Sequence, residues 1–300
     1  MIATSCTTFW SPNLYQINTL KFEFESLNGT TLDDQGNTNL TIDNCKAAVH
    51  VSYSGNMGGF QCEATLYGLG LELIATLSAR GIGPYQSNNV QIGMKVYAND
   101  TLVFDGGIYS AYANMNQVPE VGLIISAVAG NDLMRTPASP FTATGSQPYE
   151  TILNSICAAN GYTLNAVNLD GITGTNPHFV GDVMHQLQDA CNAASLQMAV
   201  NGKVVTVWKP GDAIDSVKPL ISPDYGLIGY PVFTQSGITF QTTFSTYLSQ
   251  GRNVTLQTSL PNASGDYNLF QVDHYLSSWM QGGPWTSVCQ GAKVLTNVSE

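Results

Sequence analysis

The residues with the clearest potential for chemistry are four histidines and the acids near them. The histidines are His50, His178, His185 and His274. Asp182, His185 and Asp189 have the spacing i, i+3 and i+7, which a helix would place on one face. A helical zinc site needs further ligands, as in His-Glu-x-x-His, and the chain lacks that motif. We therefore interpret these three residues as a solvated helix face.

Other catalytic patterns are also poorly represented. A Ser/His/Asp triad stays open, but no Gly-x-Ser-x-Gly elbow supports one. His274 alternates within a strand pattern, so we interpret it as structural. The neighbouring acids at 33–34 and 212–215 lie in turn and linker segments, where solvated or turn-forming roles are more typical than glycoside hydrolysis. No phosphate-binding glycine loop is present.

Three tryptophans could suggest sugar binding. Trp208, Trp279 and Trp285 each lie at the end of a strand pattern, where aromatic side chains commonly close barrels. From these patterns we predict no catalytic, cofactor-binding or metal-binding residue. The expectation is a protein that is not an enzyme.

The first segment, 1–135, alternates apolar and polar residues as strands do. Strand patterns cover 20–25, 40–42, 48–53, 61–68, 89–98, 101–110 and 121–130. Turn residues at 28–37 and at Asn99-Asp100 predict hairpins. One helix is predicted over 69–79. The segment is therefore predicted to be an N-terminal β domain.

A proline-rich linker over 137–148 separates that domain from a small α/β domain, predicted over 148–212. Helical spacing predicts helices over 149–160 and 181–194. Asn201-Gly202 lies between two short strand patterns and predicts a tight hairpin turn. A third domain, over 219–300, is again predicted to be β-rich. Its strands are punctuated by Gly226, Gly229, Pro231 and Gly237. At the glycines we expect positive φ angles or close backbone approach.

The composition favours a protein that buries much of its surface in an assembly. Charged residues are 10% of the 300 residues, against about 25% in ordinary soluble domains. A β-rich extracellular protein is the alternative. The net charge is −11, and the ten basic residues are scattered along the chain. We therefore expect the protein not to bind DNA or anionic membranes.

The cysteines and the N-terminus point to folding in a cytoplasm. Neither a signal peptide nor an apolar run long enough to span a membrane is evident. The cysteines show no paired spacing, and we expect them to be reduced. They are Cys6, Cys45, Cys62, Cys157, Cys191 and Cys289.

The order of several motifs resembles a known family. The motifs are Pro223-x-Tyr-Gly-Leu-Ile-Gly-Tyr-Pro231, Leu248-x-x-Gly-Arg-x-Val-x-Leu256, Ala263-Ser-Gly-Asp-Tyr267, His274-Tyr-Leu-Ser-Ser278 and Gly282-Gly-Pro-Trp285. Further upstream, Leu102-Val-Phe-x-Gly-x-Ile108 precedes a strand that ends Ala127-x-x-Gly130. This order resembles bacteriophage tail baseplate hub proteins, the tail-tube-like hubs of contractile tails, which are related to type VI secretion spike hubs.

The resemblance implies a mainly β fold with some α: tail-tube-like β-barrel domains plus the small α/β domain. It also implies a structural virion protein, with three copies forming a ring that joins the tail tube to the central spike and leaves a channel for DNA. Because the chain is short, its second tube-like domain would be compact, built from 196–289. Another tail-tube or tail-tip protein, or a β-rich hydrolase using a pair of acids, is the alternative.

The implied partners are two further copies of the chain, the tail tube protein, the central spike protein, the tape measure protein and other baseplate subunits. Sequence-specific nucleic-acid binding and a membrane span are not expected. The implied location is the tail baseplate of the virion, assembled in the cytoplasm of a bacterial host.

Overall fold

A computed structural model describes residues 17–27, 29, 31–33, 35–54, 59–78, 92–113, 115–117 and 119–294. Within these residues the protein is mostly β-strand with three α-helices. The prediction of a mainly β fold with some α is confirmed. Cys6, Trp10, Asp34 and residues 89–91 lie outside the described residues.

The first segment supplies seven strands and one helix. The elements are β1 (Leu20–Ser26), β2 (Asn39–Ile42), β3 (Ala47–Ser54), β4 (Gln61–Tyr67), α1 (Leu71–Ser78), β5 (Ile92–Ala98), β6 (Thr101–Ala113) and β7 (Gly122–Val128). Each strand predicted from alternation is present. Asn99 and Asp100 have φ angles of 48° and 64°, the geometry expected of the predicted tight turn between β5 and β6.

The middle segment forms the α/β unit. Its elements are β8 (Phe141–Thr142), β9 (Ser146–Pro148), α2 (Tyr149–Ala159), β10 (Thr163–Val167), β11 (Thr173–Thr175), β12 (His178–Phe179), α3 (Val183–Ala193), β13 (Gln197–Asn201) and β14 (Val204–Trp208). The predicted linker contains β8 and β9, two very short strands that pair with β12 and β11. Because β14 pairs with both β13 and β10, the hairpin at 197–208 belongs to this unit. The start of the expected compact tube-like domain over 196–289 therefore lies in the α/β unit, and that domain remains a prediction.

The last segment adds six strands. They are β15 (Leu220–Ile221), β16 (Leu227–Thr234), β17 (Gly237–Thr243), β18 (Asn253–Leu256), β19 (Gly265–Ser278) and β20 (Trp285–Lys293). The φ angles are 85° at Gly226, 68° at Gly229 and 142° at Gly237, which confirms the expected glycine conformations.

The first and last segments share one sheet of 13 strands. Its main path runs β16-β17-β20-β19-β3-β4-β7-β6-β5-β1-β2, while β18 joins through β19 and β15 through β18. The junction is the antiparallel pairing of β19 with β3 over eight residue pairs, Gln271↔Ser54 to Ser278↔Ala47. One hydrophobic core spans both segments, and the α/β unit has a second core of its own. The division into three domains remains a prediction.

The α/β unit packs at one end of this sheet, which we call the covered end. The backbone N–H of Phe60, just before β4, donates to the carbonyl of Val200, and Gly202 N–H donates to the carbonyl of Asp105. Trp208 is buried over Gly251, where an added Cβ would lie 3.0 Å from the indole. The opposite end, where β3 and β7 begin and β4, β6 and β19 end, we call the open end.

Candidate functional site

One face of the sheet packs on the core, and the other carries mostly polar side chains. Antiparallel pairing places opposite residues in rows across the strands. One row consists of Thr243, Thr286, Tyr275, His50, Glu63, Ser126 and Ser110. The row beside it consists of Gln241, Val288, Asp273, Ser52 and Gln61. We call these two rows the polar face. It continues without a break from β17 through β6, across both segments of the chain.

The polar face carries acids and no Lys or Arg. Glu63 is exposed, and Asp273 is held in a hydrogen-bonded group. His50 Nε2 lies 3.1 Å from Asp273 Oδ1, and Gln271 Nε2 donates to Asp273 Oδ2 at 2.7 Å. Burial raises the pKa of Asp273, but hydrogen bonds from His50, Ser52 and Gln271 outweigh that effect and hold this pKa below its usual value. The result is a surface with weak, negative charge.

His274 points to the opposite side of β19 from Asp273. It is buried, and its Nδ1 lies 2.7 Å from Ser287 Oγ. Its ring is nearly perpendicular to the rings of Tyr53 and Phe244, at centroid distances of 5.1 and 5.0 Å. Burial lowers the pKa of His274 to about 4, so the ring is neutral at physiological pH. Its surroundings are those of a core residue.

Strand β16 forms one edge of the sheet, and no described strand pairs with its outer side. Its apolar side chains are unusually exposed: Tyr230 by 69%, Val232 by 63% and Phe233 by 54%. Ile228 and Val232 lie opposite polar-side residues of β17, whereas Phe233 lies opposite the buried Ile238. Both faces of this edge therefore present apolar surface. Long, apolar and uncharged edges are where other chains add strands.

A cleft of about 580 Å³ lies where the α/β unit meets β1, β5 and β6. Asp132 accepts hydrogen bonds from Tyr162 Oη and Lys203 Nζ, and this Nζ lies 4.4 Å from the centre of the Tyr162 ring. Burial raises the pKa of Asp132, but the Lys203 and Tyr162 hydrogen bonds lower it by more. Burial also raises the pKa of nearby Asp105. Because Lys203 and Tyr162 both bind Asp132, we interpret this group as a structural contact between the two units.

The family model for the baseplate hub gp41 matches residues 81–283, which is more than half of the chain. The chain belongs to the baseplate hub gp41 family. Its role is therefore structural, as a hub of a bacteriophage tail baseplate, and the resemblance to baseplate hub proteins is confirmed. No curated protein sequence matches this hub.

Solved tail proteins share the fold of the hub. The 43 kDa tail protein of prophage MuSo2 from Shewanella oneidensis matches with a TM-score of 0.59 at 7% identity, over 91% of this chain and 96% of that one. A tail protein from Neisseria meningitidis MC58 gives 0.59 at 9% identity, with the same coverages. The E. coli c3393 protein, described as a type VI secretion component, gives 0.56 at 10% identity, over 83% and 73%.

The hub brings none of its four histidines into a metal cluster, since the described residues contain no group of three or more candidate ligands. Asp182 is the N-cap of α3 and accepts from the His185 backbone N–H at 2.9 Å, so it precedes the helix rather than lying on its face. Asp189 is exposed, and His178 Nδ1 lies 2.8 Å from Thr142 Oγ1. His185 and Asp189 are exposed on α3, whereas Asp182 caps the helix, and the interpretation of the three as one solvated face remains a prediction.

One described acid of each predicted pair makes structural contacts in the hub. Asp33 accepts from the backbone N–H groups of Gln35 and Asn37, as in a turn. Asp215 binds Arg252, whose Nε lies 3.0 Å from Oδ1. The expectation that the hub has no catalytic, cofactor-binding or metal-binding residue remains a prediction.

The three tryptophans that the structure describes, Trp208, Trp279 and Trp285, lie apart in distinct environments. Trp208 is fully buried between the α/β unit and the sheet, and Trp285 is half-buried against Phe244. Trp279 is 62% exposed at the open end. Sequence reasoning missed both the exposed edge of β16 and the exposure of Trp279. The apolar run in 227–233, with no charged residue, was the available signal for the edge.

Proposed function

We propose that three copies of this hub form a ring that joins the tail tube to the central spike. The observation that carries this proposal is the apolar edge of β16. An edge strand with Tyr230, Val232 and Phe233 in water would favour aggregation, and natural edges of this kind are usually covered or charged. Contacts between unlike surfaces of identical copies close into rings when the rotation allows. We therefore propose that a neighbouring copy of the hub packs on this edge and shields it from water.

We further propose that the polar face lines the channel of the ring. A DNA conduit must not hold phosphates, and phosphate binding requires Lys or Arg. The polar face has Glu63 and Asp273 but neither cationic residue type. The net charge of −11 supports the same role, because a negative wall repels the phosphate backbone.

The proposed partners are the tail tube, central spike and tape measure proteins and other baseplate subunits. The hub would lie in the virion tail baseplate, after assembly in the host cytoplasm. We propose no enzymatic activity and no cofactor. In the part of the chain that the structure describes, no helix has the length and apolarity needed to cross a membrane.

Light scattering at micromolar concentration tests the ring, with the hub alone and with its spike protein. We expect a mass three times the 32.1 kDa of the chain in at least one condition, since assembly is concentration-dependent. Val232→Lys should give monomers by placing charge on the edge. Val180→Lys, at a residue 50% exposed on the α/β unit, is the matched control and should remain trimeric. A wild-type monomer in both conditions would refute the ring.

A further inference from the structure

A groove of about 440 Å³ lies on the α/β unit, between helix α2 and strand β10. Its helix side is lined by the exposed residues Thr151, Asn154 and Ser155, which present hydroxyl and amide groups. Its strand side is lined by Leu164 and Ala166. The groove belongs to the α/β unit alone, and it is separate from the cleft where this unit meets β1, β5 and β6.

Strand β10 forms one edge of the small sheet, whose order is β10-β14-β13, and no described strand pairs with its outer side. Its pairing with β14 is parallel, and the backbone N–H of Thr163 donates to the carbonyl of Lys203. Backbone groups of successive residues in a strand point to opposite sides, so Thr163 and Asn165 direct theirs to β14. Leu164 and Ala166 therefore direct their N–H and C=O groups away from β14, on the side of the groove that they line.

The edge of β10 is open to a further strand. Its five residues, Thr163–Val167, include no charged residue and no proline, which commonly protect the edges of sheets. An extended peptide adds to such an edge through main-chain hydrogen bonds, and pockets beside the edge select its side chains. The α2–β10 groove supplies both the unpaired backbone groups and a polar wall beside them.

The charge of the α/β unit limits the partner. Residues 136–202 contain four acids and no Lys or Arg. Glu150 lines the groove, and Asp170 precedes Ile172, whose carbonyl accepts from the Tyr149 N–H at the start of α2. Two exposed acids therefore lie at the same end of the groove. A second copy of a chain with net charge −11 is a poor match for this end, whereas Lys or Arg complements it.

We propose that the α2–β10 groove is a docking site for an extended, cationic segment of another protein, which pairs with β10 as a fourth strand. The outward backbone groups of Leu164 and Ala166 exchange hydrogen bonds with this segment. A Lys or Arg of the segment lies beside Glu150 and Asp170. The groove is separate from the β16 edge, so the proposal does not depend on the ring.

Fluorescence anisotropy at low salt tests this assignment with three labelled synthetic peptides and the whole hub. The first peptide is the strand-forming sequence Lys-Thr-Val-Thr-Val-Thr-Lys. The second has Glu in place of both Lys residues, and the third carries N-methyl groups on its three central residues, which remove backbone donors on both edges. We expect saturable, salt-sensitive binding of the first peptide, about tenfold or more tighter than binding of the other two.

Variants of the hub separate backbone pairing from charge. Ala166→Pro removes an outward N–H and no hydrogen bond to β14, as sheet edges tolerate, so folding is kept. It should weaken binding of the first peptide about tenfold. Glu150→Gln should weaken it about threefold, as loss of an exposed ion pair does. Asp189→Asn removes an exposed acid of α3 outside the groove and should bind as wild type does.

Several outcomes would overturn the proposal. Equal binding of the N-methylated and unmodified peptides would show that β10 accepts no strand, and this comparison needs no variant. Absence of saturable binding by the Lys peptide, or equal binding of the Glu peptide, would reject a cationic occupant. Weaker binding by Asp189→Asn than by Glu150→Gln would place the site elsewhere on the unit. A lower mass of Ala166→Pro by light scattering would make a second copy the occupant instead.

Discussion

His50 lies flat against Tyr275, with ring centroids 4.5 Å apart and ring planes 2° from parallel. The two residues are direct partners in the pairing of β3 with β19. Their contact joins the first and last segments of the chain at the middle of the polar face. His50 Nε2 also lies within hydrogen-bonding distance of Asp273 Oδ1. His50 therefore contacts both an aromatic residue and an acid of the strand that joins the two segments.

The free energy of unfolding should depend on pH through Asp273 and its hydrogen bonds. The pKa of Asp273 is lowered in the folded state, so its contribution is present above the unfolded pKa of about 4 and is lost as pH falls through the lower folded value. Asp273→Asn should destabilise the protein at pH 7 by about 1.5–3 kcal/mol, the usual worth of hydrogen bonds to a charged group. Urea unfolding at several pH values below 5 should show this difference shrinking, and a constant difference would contradict the assignment.

The contribution of His274 to stability should change at higher pH than the contribution of Asp273. Its folded pKa of about 4 lies below the unfolded value of about 6.5, so the stability it contributes is full above pH 6.5 and is lost as pH falls towards 4. The loss should be on the order of 3 kcal/mol. His274→Gln can keep a hydrogen bond to Ser287 and should flatten the dependence between pH 7 and 4. Equal slopes for both proteins would show that His274 is not buried neutral.

Two glycines of the edge hairpin should differ in sensitivity. A Cβ at Gly229 would meet nothing within 4 Å, so Gly229→Val adds backbone strain alone, about 1–3 kcal/mol. At Gly237 a Cβ would lie 2.2 Å from the Gly291 carbonyl oxygen, so Gly237→Val should cost more. Gly70→Val, in open space without positive φ, is the control.

Limited proteolysis should locate the damage from these glycine substitutions. Because β19 pairs with β3 and both lie in one core away from the edge hairpin, we expect new cleavage in 227–243 while the strands β1 to β7 stay resistant. Gly229→Val should also impair assembly through the β16 edge. If Gly229→Val assembled normally, β16 would have no role in assembly and would be an ordinary surface strand.

The cysteines should be reduced and differ in reactivity. Cys62, Cys157, Cys191 and Cys289 are buried and unpaired with one another by disulfides. Burial raises the pKa of Cys157 and Cys191 to about 12, and that of Cys62 and Cys289 also rises. Thiol titration without reductant should find these four unreactive in native protein at pH 8 and all six thiols free after denaturation. Two or fewer free thiols after denaturation would contradict cytoplasmic folding.

The polar face should not bind DNA. We expect no complex between the assembled hub and duplex DNA in gel-shift assays at low salt. Gln61→Lys combined with Gln241→Lys places cations on the polar face, and DNA should then bind in a salt-sensitive manner. A salt-sensitive complex with wild type would mean that its scattered basic residues gather on one surface, and the channel assignment would fail.

The sequence by itself determined most local elements of this protein. Alternation placed the strands, Asn201-Gly202 placed a hairpin, and glycines marked the positive φ angles at 226 and 229, because these features depend on neighbours in the chain. The order of motifs also pointed to the hub family. Alternation of apolar and polar residues, however, predicts only on which face of a sheet a side chain lies. It does not predict which strand pairs with which.

The tertiary structure decided the features that join distant parts of the chain. Pairing of β3 with β19 brings His50 to Asp273 and Tyr275 and creates the polar face. It also decided that β16 is an edge, and that Trp208 is buried whereas Trp279 is exposed, although both end strand patterns. These outcomes depend on contacts between segments far apart in sequence, whose packing no local pattern encodes.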